Sequence, residues 1–173
     1  MAEGIMLPPG GGRLIRGGGV DATLKVAGGD NAHASTFVSR IPPGYDVGAH
    51  VHRHGEELFY VLEGTVDLLA FEPVDRGVCD WHDWVSADGR SYLRGGPGSL
   101  MFVPRGVPHA FGNPSNKPAT MFFQAAPPGH ENYFMELAQL LERSGGNPVR
   151  DHIVDLRERY DITQLTELHR NRQ

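Results

Sequence analysis

Four side chains that can ligate a metal ion occur in two separate stretches of the chain. His50 and His52 are two residues apart, Glu57 follows shortly after them, and His109 stands much further along. In a β-strand, residues two apart face the same side, so the two histidines project together toward whatever that face encloses. Two buried histidines without a partner would be costly, which favours coordination over two isolated core histidines.

The mixture of imidazole and carboxylate indicates the kind of metal. Such a donor set suits one divalent first-row transition ion per chain, with Fe, Mn, Ni, Co and Zn all left open. Four protein ligands on an octahedral ion leave two positions free. The sequence therefore predicts a metal site at which a small molecule can bind or react.

Two neighbouring residues compete for the same roles. Glu56 could replace Glu57, but strand alternation turns Glu56 outward if Glu57 faces in. His54 extends the spacing of His50 and His52, so it could be a ligand or a base beside them, whereas its place next to Gly55 favours a solvated turn. The other histidines lack this spacing and are predicted at the surface: His33, His82, His130, His152 and His169.

Apolar residues share the faces of the candidate ligands. Phe59 and Val61 alternate with Glu57, and Phe111 alternates with His109. We therefore expect an apolar cavity with one polar end, while plain barrel core remains the alternative for these three residues.

A second group of aromatic residues lies in the segment 72–97, which is predicted as an insertion or long hairpin. Trp81 and Trp84 flank His82 there. These residues could form a lid or pocket wall, or instead an aromatic clamp that packs the insertion on the barrel, or a subunit interface. A structural role as clamp or interface is favoured over the lid.

The elements that must position these residues are mostly short strands. The chain has 23 glycines and 13 prolines, largely in clusters between apolar runs, which is typical of an all-β fold with tight turns. Glu63-Gly64 is predicted to join its flanking strands as a hairpin. The turn Pro104-Arg105-Gly106 is predicted to direct a later strand so that His109 points inward from the side opposite His50 and His52. The predicted strand segments are 13–27, 33–41, 56–62, 65–71, 98–104, 108–112 and 118–126.

A helical pattern follows the last strand. Its apolar stripe consists of Tyr133, Phe134, Leu137, Leu140 and Leu141, and Gly145-Gly146 ends it. Asn147-Pro148 predicts the start of a second helix, whose apolar face is Val149, Ile153, Leu156 and Tyr160. We expect one domain: a flexible start at 1–12, a barrel at 13–126, and a helical extension at 127–173 with two or three helices packed outside.

Charge and composition restrict the partners. The net charge is −5 and there is no run of Lys or Arg, which argues against nucleic acid and anionic membranes. Cys79 is the single cysteine, so no disulfide framework is expected, and the first residues lack the pattern of a signal peptide. We expect a cytoplasmic protein with a small-molecule substrate, which forms a homodimer through the edge strand within 13–27.

Residues 44–64 and 98–113 resemble the two cupin motifs at every fixed position. The matching residues are Gly44, His50, His52, Glu57, Gly64, Gly98, Pro104, Gly106, His109 and Asn113. The resemblance implies a double-stranded β-helix, a jelly-roll-like barrel, with His50, His52, Glu57 and His109 as ligands. Over roughly residues 33–165 the chain looks most like the single-barrel quercetin 2,3-dioxygenase-like cupins of bacteria, although the segment 72–97 is longer than usual.

Three functions are consistent with this resemblance. The leading hypothesis is a metal-dependent dioxygenase of a small aromatic or enolic compound that chelates the ion, with Glu57 as ligand and base. The alternatives are a redox-neutral cyclase or isomerase of polyketide-type metabolites that uses the same metal, and a metal-dependent binding protein without turnover.

Overall fold

The computed structural model describes residues 4–30, 33–146 and 148–167. Its strands are, in chain order, β1 (Arg13–Gly17), β2 (Val20–Val26), β3 (Ser35–Ile41), β4 (His50–Val51), β5 (Glu56–Glu63), β6 (Val66–Ala70), β7 (Leu93–Gly95), β8 (Leu100–Val103), β9 (His109–Gly112), β10 (Ala119–Ala126) and β11 (Thr163–Gln164). The helices are a 3₁₀ turn at Trp81–Asp83, α1 (His130–Arg143) and α2 (Arg150–Arg159).

The strands form two antiparallel sheets that enclose the core. One sheet has the order β1-β2-β3-β10-β5-β8, and the other has the order β11-β4-β9-β6-β7. Strand alternation sets which side chains face inward: in β10 every second residue is buried, beginning with Ala119. The largest inward side chains, which include Phe37, Phe59 and Met121, form one apolar core. The predicted all-β, jelly-roll-like barrel is confirmed.

The predicted hairpin at Glu63-Gly64 is wrong. Strand β5 pairs with β10 and β8, whereas β6 pairs with β9 and β7, so the turn carries the chain from one sheet to the other. Gly64 has a φ of 81°, and a Cβ there would lie 2.8 Å from the Cα of Ala119. The turn therefore needs glycine, but alternating burial alone does not reveal which strand is the partner.

The segment 72–97 packs on the barrel through its tryptophans. Trp81 and Trp84 are fully buried and share a second apolar cluster with Leu69 and Phe71. His82 stacks on Trp81 with ring centroids 3.7 Å apart. This is the clamp arrangement, and it joins the insertion to the sheet that contains β6.

The C-terminal segment packs on the barrel beside β1. Helix α1 packs on β1 so closely that a Cβ on Gly17 would lie 3.1 Å from the Cα of Ala138. Helix α2 begins at Arg150, two residues later than Pro148, and Asn147 lies outside the described residues. The exposed Val149 does not share the buried face of Leu156, because it precedes the helix.

The chain after α2 contributes one strand that the sequence did not predict. Thr163 and Gln164 of β11 pair with Val51 and His50 of β4. A two-residue strand has too few positions for alternation to be recognised. Among the described residues, no helix has the length and apolar character needed to cross a membrane.

Candidate metal centre

The four predicted ligands meet at one place between the two sheets. Strands β4 and β9 pair so that His50 lies opposite His109, while Glu57 comes from β5 in the other sheet. One candidate ligand atom from each of His50, His52, Glu57 and His109 lies within 4.8 Å of all the others. The expectation that His109 approaches from the side opposite His50 is wrong: the two are neighbours, and Glu57 faces them.

Backbone carbonyls fix the orientation of the three imidazole rings. Nδ1 of His50 lies 3.0 Å from the Gly48 oxygen, and Nδ1 of His109 lies 3.1 Å from the Val107 oxygen. Nδ1 of His52 lies 2.9 Å from the carbonyl oxygen of Asp161. Since a carbonyl only accepts, Nδ1 carries the proton of each neutral ring and Nε2 presents a lone pair.

Those Nε2 lone pairs converge on a carboxylate. Nε2 of His109 is 2.8 Å and Nε2 of His52 is 3.3 Å from the Glu57 oxygens, yet neither nitrogen has a hydrogen-bond partner of acceptable geometry. All four side chains are buried. Lone pairs held this close repel one another unless a cation lies between them, so the donor set fits a divalent first-row metal ion.

The charges of the cluster also suit a metal site. Burial would raise the pKa of the Glu57 carboxyl, but the adjacent His52 and His109 outweigh this effect and hold the pKa well below its ordinary value. Burial, together with neighbouring His109 and His52, lowers the pKa of His50 well below its ordinary value. Glu57 is therefore ionised and His50 neutral at pH 7, the forms that bind metal.

His52 titrates in the opposite direction. Burial would lower its pKa, but the neighbouring Glu57 carboxylate outweighs burial and raises it. A metal ion must displace any proton held on His52, so binding is accompanied by proton release.

Two residues of the centre, His50 and Glu57, line a mainly apolar cavity of about 70 Å³. Phe59 and Phe111 line this cavity as expected, whereas Val61 belongs to the core and is absent from its wall. Trp81, His82 and Trp84 do not line it either, so they do not form a pocket wall. The C-terminal segment closes the cavity with Tyr133, Phe134, Leu137, Ile153 and Ile162.

A family model described as cupin matches residues 23–143. The chain belongs to the cupin family. No curated protein sequence matches this cupin.

Solved structures share the fold at low sequence identity. KdgF from Halomonas sp. has a TM-score of 0.57 at 11% identity, over 75% of this chain and 99% of that one. The polyketide cyclase RemF from Streptomyces resistomycificus has a TM-score of 0.53 at 20% identity, over 73% and 83% of the two chains. A cupin-superfamily sugar phosphate isomerase from Silicibacter pomeroyi has a TM-score of 0.52 at 18% identity, over 70% and 75%. These likenesses establish the fold alone.

The prediction that His130 lies at the surface is wrong. This residue begins α1, is largely buried, and places Nδ1 3.9 Å from Oε1 of Glu57. Burial lowers the pKa of His130 to about 4, so the ring is neutral at pH 7. The sequence does contain a signal for this burial: His130 precedes Tyr133 by three residues and Phe134 by four, so it belongs to the inward stripe of the helix.

His54 lies outside the centre of this cupin. Strand β4 ends at Val51, so the alternation that aligns His50 and His52 does not continue, and the His54 side chain is exposed. Its backbone N–H donates to Oδ2 of Asp161 at 2.7 Å.

Three residues near the centre were not identified from the sequence. Asp161, at a φ of 59°, positions His52 through its carbonyl oxygen. Asp46 lines the cavity and accepts hydrogen bonds from Gly48 N and Trp81 Nε1. Arg157 also lines the cavity from α2. Only Asp161 carried a local signal, since aspartate tolerates the left-handed conformation that often follows a helix.

Proposed function

We propose that this cupin is a metal-dependent dioxygenase that acts on a small enolic or aromatic compound able to chelate the ion through adjacent oxygens. One observation carries the proposal: three oriented imidazole lone pairs and the Glu57 carboxylate converge at one place, where His50 and Glu57 border a mainly apolar cavity. The resemblance of the two motifs to quercetin 2,3-dioxygenase-like cupins supports the choice of reaction.

When bound, a redox-active first-row ion supplies the electron-transfer chemistry with dioxygen that protein side chains lack. The protein provides orientation and proton transfer. Glu57 is placed to accept the proton of a substrate hydroxyl, and neutral His130 lies 3.9 Å from its Oε1, close enough to share that proton after a small movement. The phenylalanines around them exclude water from the reacting group.

The size of the cavity restricts the substrate. Its volume of about 70 Å³ is well below the roughly 300–1,000 Å³ that pockets for drug-sized ligands occupy. A flavonol would require the wall formed by the C-terminal helices to move. We therefore favour a compact diketone or catechol as the substrate.

The pair formed by Glu57 and His130 supports a second candidate, a redox-neutral isomerase or cyclase. Such reactions remove a proton at one position and return it at another, and two adjacent proton-transfer groups suit that task. Any bound ion of suitable charge would then serve as a Lewis acid.

The two candidates differ in their use of oxygen. Protein loaded separately with Fe, Mn, Ni, Co or Zn is incubated with acetylacetone, catechol or quercetin, while oxygen consumption and substrate loss are measured together. A dioxygenase consumes oxygen in step with substrate and is inactive with Zn, which has no redox chemistry. Equal turnover without oxygen would support the redox-neutral candidate instead. If every metal-loaded form bound these compounds without turnover, both candidates would be contradicted.

A further inference from the structure

Arg157 is a buried cation in the wall of the same cavity, and it also borders a second, more open cavity beside β11. Only 8% of the residue is exposed, although it lies on α2 near the protein surface. Within the part of the chain that the structure describes, its Nε and Nη1 atoms have no hydrogen-bond partner. None of the ion pairs among those residues includes it.

The two carboxylates that line this cavity already have other partners. Asp46 accepts hydrogen bonds from Gly48 N at 2.7 Å and from Trp81 Nε1 at 2.9 Å. Glu57 belongs to the ligand cluster. An arginine cannot shed its charge by losing a proton, and a buried charge without a partner is strongly unfavourable. A negatively charged group that enters the cavity would remove this cost.

We propose that Arg157 binds a carboxylate of the substrate, so that the substrate is a small carboxylic acid whose other oxygens face the four-ligand cluster. This inference rests on the proposed function for the end of the molecule that faces the metal. The planar guanidinium matches a carboxylate with two parallel hydrogen bonds. A single cation in an apolar cavity of about 70 Å³ suits a monocarboxylate better than a doubly charged phosphate.

A matched pair of chelators tests the assignment in the metal-loaded protein. Acetylpyruvate and acetylacetone carry the same diketone, but only acetylpyruvate carries a carboxylate. We expect the wild-type protein to bind acetylpyruvate about tenfold to hundredfold more tightly in calorimetric titrations, which is the range for a hydrogen-bonded ion pair. Equal affinities would overturn the proposal.

Variants of α2 assign the preference to one residue. Arg157→Met should abolish the preference for acetylpyruvate over acetylacetone while leaving metal content unchanged, and Arg157→Lys should retain part of that preference. Arg159→Met is the matched control, because Arg159 pairs with Glu136 at the exposed surface of the same helix. A preference that survives Arg157→Met, or disappears in Arg159→Met, would overturn the assignment.

A metal-free arm separates this inference from the proposed function. In protein stripped with EDTA, propanoate should raise the melting temperature of the wild type more than propanamide or inorganic phosphate at equal ionic strength, and this difference should be absent in Arg157→Met. Without a ligand, Arg157→Met should melt no lower than the wild type, because it removes an unpaired charge. A lower melting temperature of the ligand-free variant, together with no effect of propanoate on the wild type, would show that Arg157 is structural. A larger effect of phosphate would contradict the choice of carboxylate.

Discussion

At the level of single residues, the centre depends on which nitrogen of each imidazole carries the proton. Three carbonyl oxygens, from Gly48, Val107 and Asp161, hold the Nδ1 protons and turn the Nε2 lone pairs toward Glu57. These partners come from the backbone, so they remain in place when neighbouring side chains change. The orientation of the donors therefore precedes metal binding.

The Glu57→Gln variant separates binding from chemistry. The amide oxygen can still coordinate, so we expect substantial metal content, but an amide cannot accept a proton as a carboxylate does. Loss of a general base typically reduces the rate by about 10²–10⁴-fold. Metal analysis and turnover of the same preparation provide the measurement, with His54→Ala as the exposed control. Activity within a few-fold of wild type at full loading would leave Glu57 as a ligand only, and His130 would become the next candidate base.

The residues of the centre differ in how far the sequence could identify them. His50, His52, Glu57 and His109 lie in recognisable spacings, so they could be predicted. Arg157 could not be predicted, because an arginine on a mostly polar helix looks like any solvated charge until the fold shows that it is buried.

At the level of elements, the start of α1 is held by one carboxylate. Glu131 is buried, accepts hydrogen bonds from Gly28 N at 2.7 Å and Gly129 N at 3.1 Å, and also accepts one from the Ser35 hydroxyl. Burial would raise its pKa, but these hydrogen bonds outweigh burial and lower it. The contacts attach the helix to β3 and so position His130 beside Glu57.

Glu131→Gln should destabilise the protein at neutral pH by about 1–3 kcal/mol, since the amide cannot accept all three hydrogen bonds. The folded-state pKa lies below the unfolded value of about 4.3, so this stabilisation is present above pH 4.3 and is lost as the pH falls through the folded pKa. Urea unfolding at pH 7 and pH 3, with exposed Glu142→Gln as control, measures the difference. If the difference in the free energy of unfolding between wild type and Glu131→Gln were the same at pH 7 and pH 3, this role would be contradicted.

The positions of the longer strands could be predicted from the sequence, but their partners could not. Alternation in 56–62 indicates one buried face, whereas 65–71 is a nearly continuous buried run. A hairpin and two strands in facing sheets are equally compatible with these local patterns. The same limit explains why His109 was assigned to the wrong side of the centre. Partner choice depends on contacts between distant parts of the chain, which a local pattern does not contain.

At the level of the whole molecule, the larger sheet has two edge strands, β1 and β8. The sequence favours a homodimer through the β1 region. The structure adds a competing surface at the other edge, where Leu100 and Phe102 of β8 and Tyr60 and Leu62 of β5 are exposed. Adjacent exposed apolar side chains of this kind are typical of a protein interface.

We expect a homodimer in solution, formed through the β5–β8 surface. Phe102→Glu should convert it to monomer, because a charge would be buried at the contact, whereas Leu14→Glu on β1 should leave the dimer intact. Sedimentation velocity at micromolar concentration measures both. If only Leu14→Glu dissociated the dimer, the interface would lie at β1 instead. A monomeric wild-type protein would contradict dimerisation altogether.

Metal stoichiometry in wild type and His109→Ala tests the central claim most directly. We predict one divalent ion per chain in the wild type after dialysis against each metal, measured by inductively coupled plasma mass spectrometry. His109→Ala should lose the ion because it removes a fully buried ligand, while keeping its circular dichroism spectrum because the barrel core is apolar. His54→Ala, which changes an exposed histidine two residues from His52, should bind like the wild type. Full occupancy in a folded His109→Ala protein, or no bound ion in the wild type, would contradict the account.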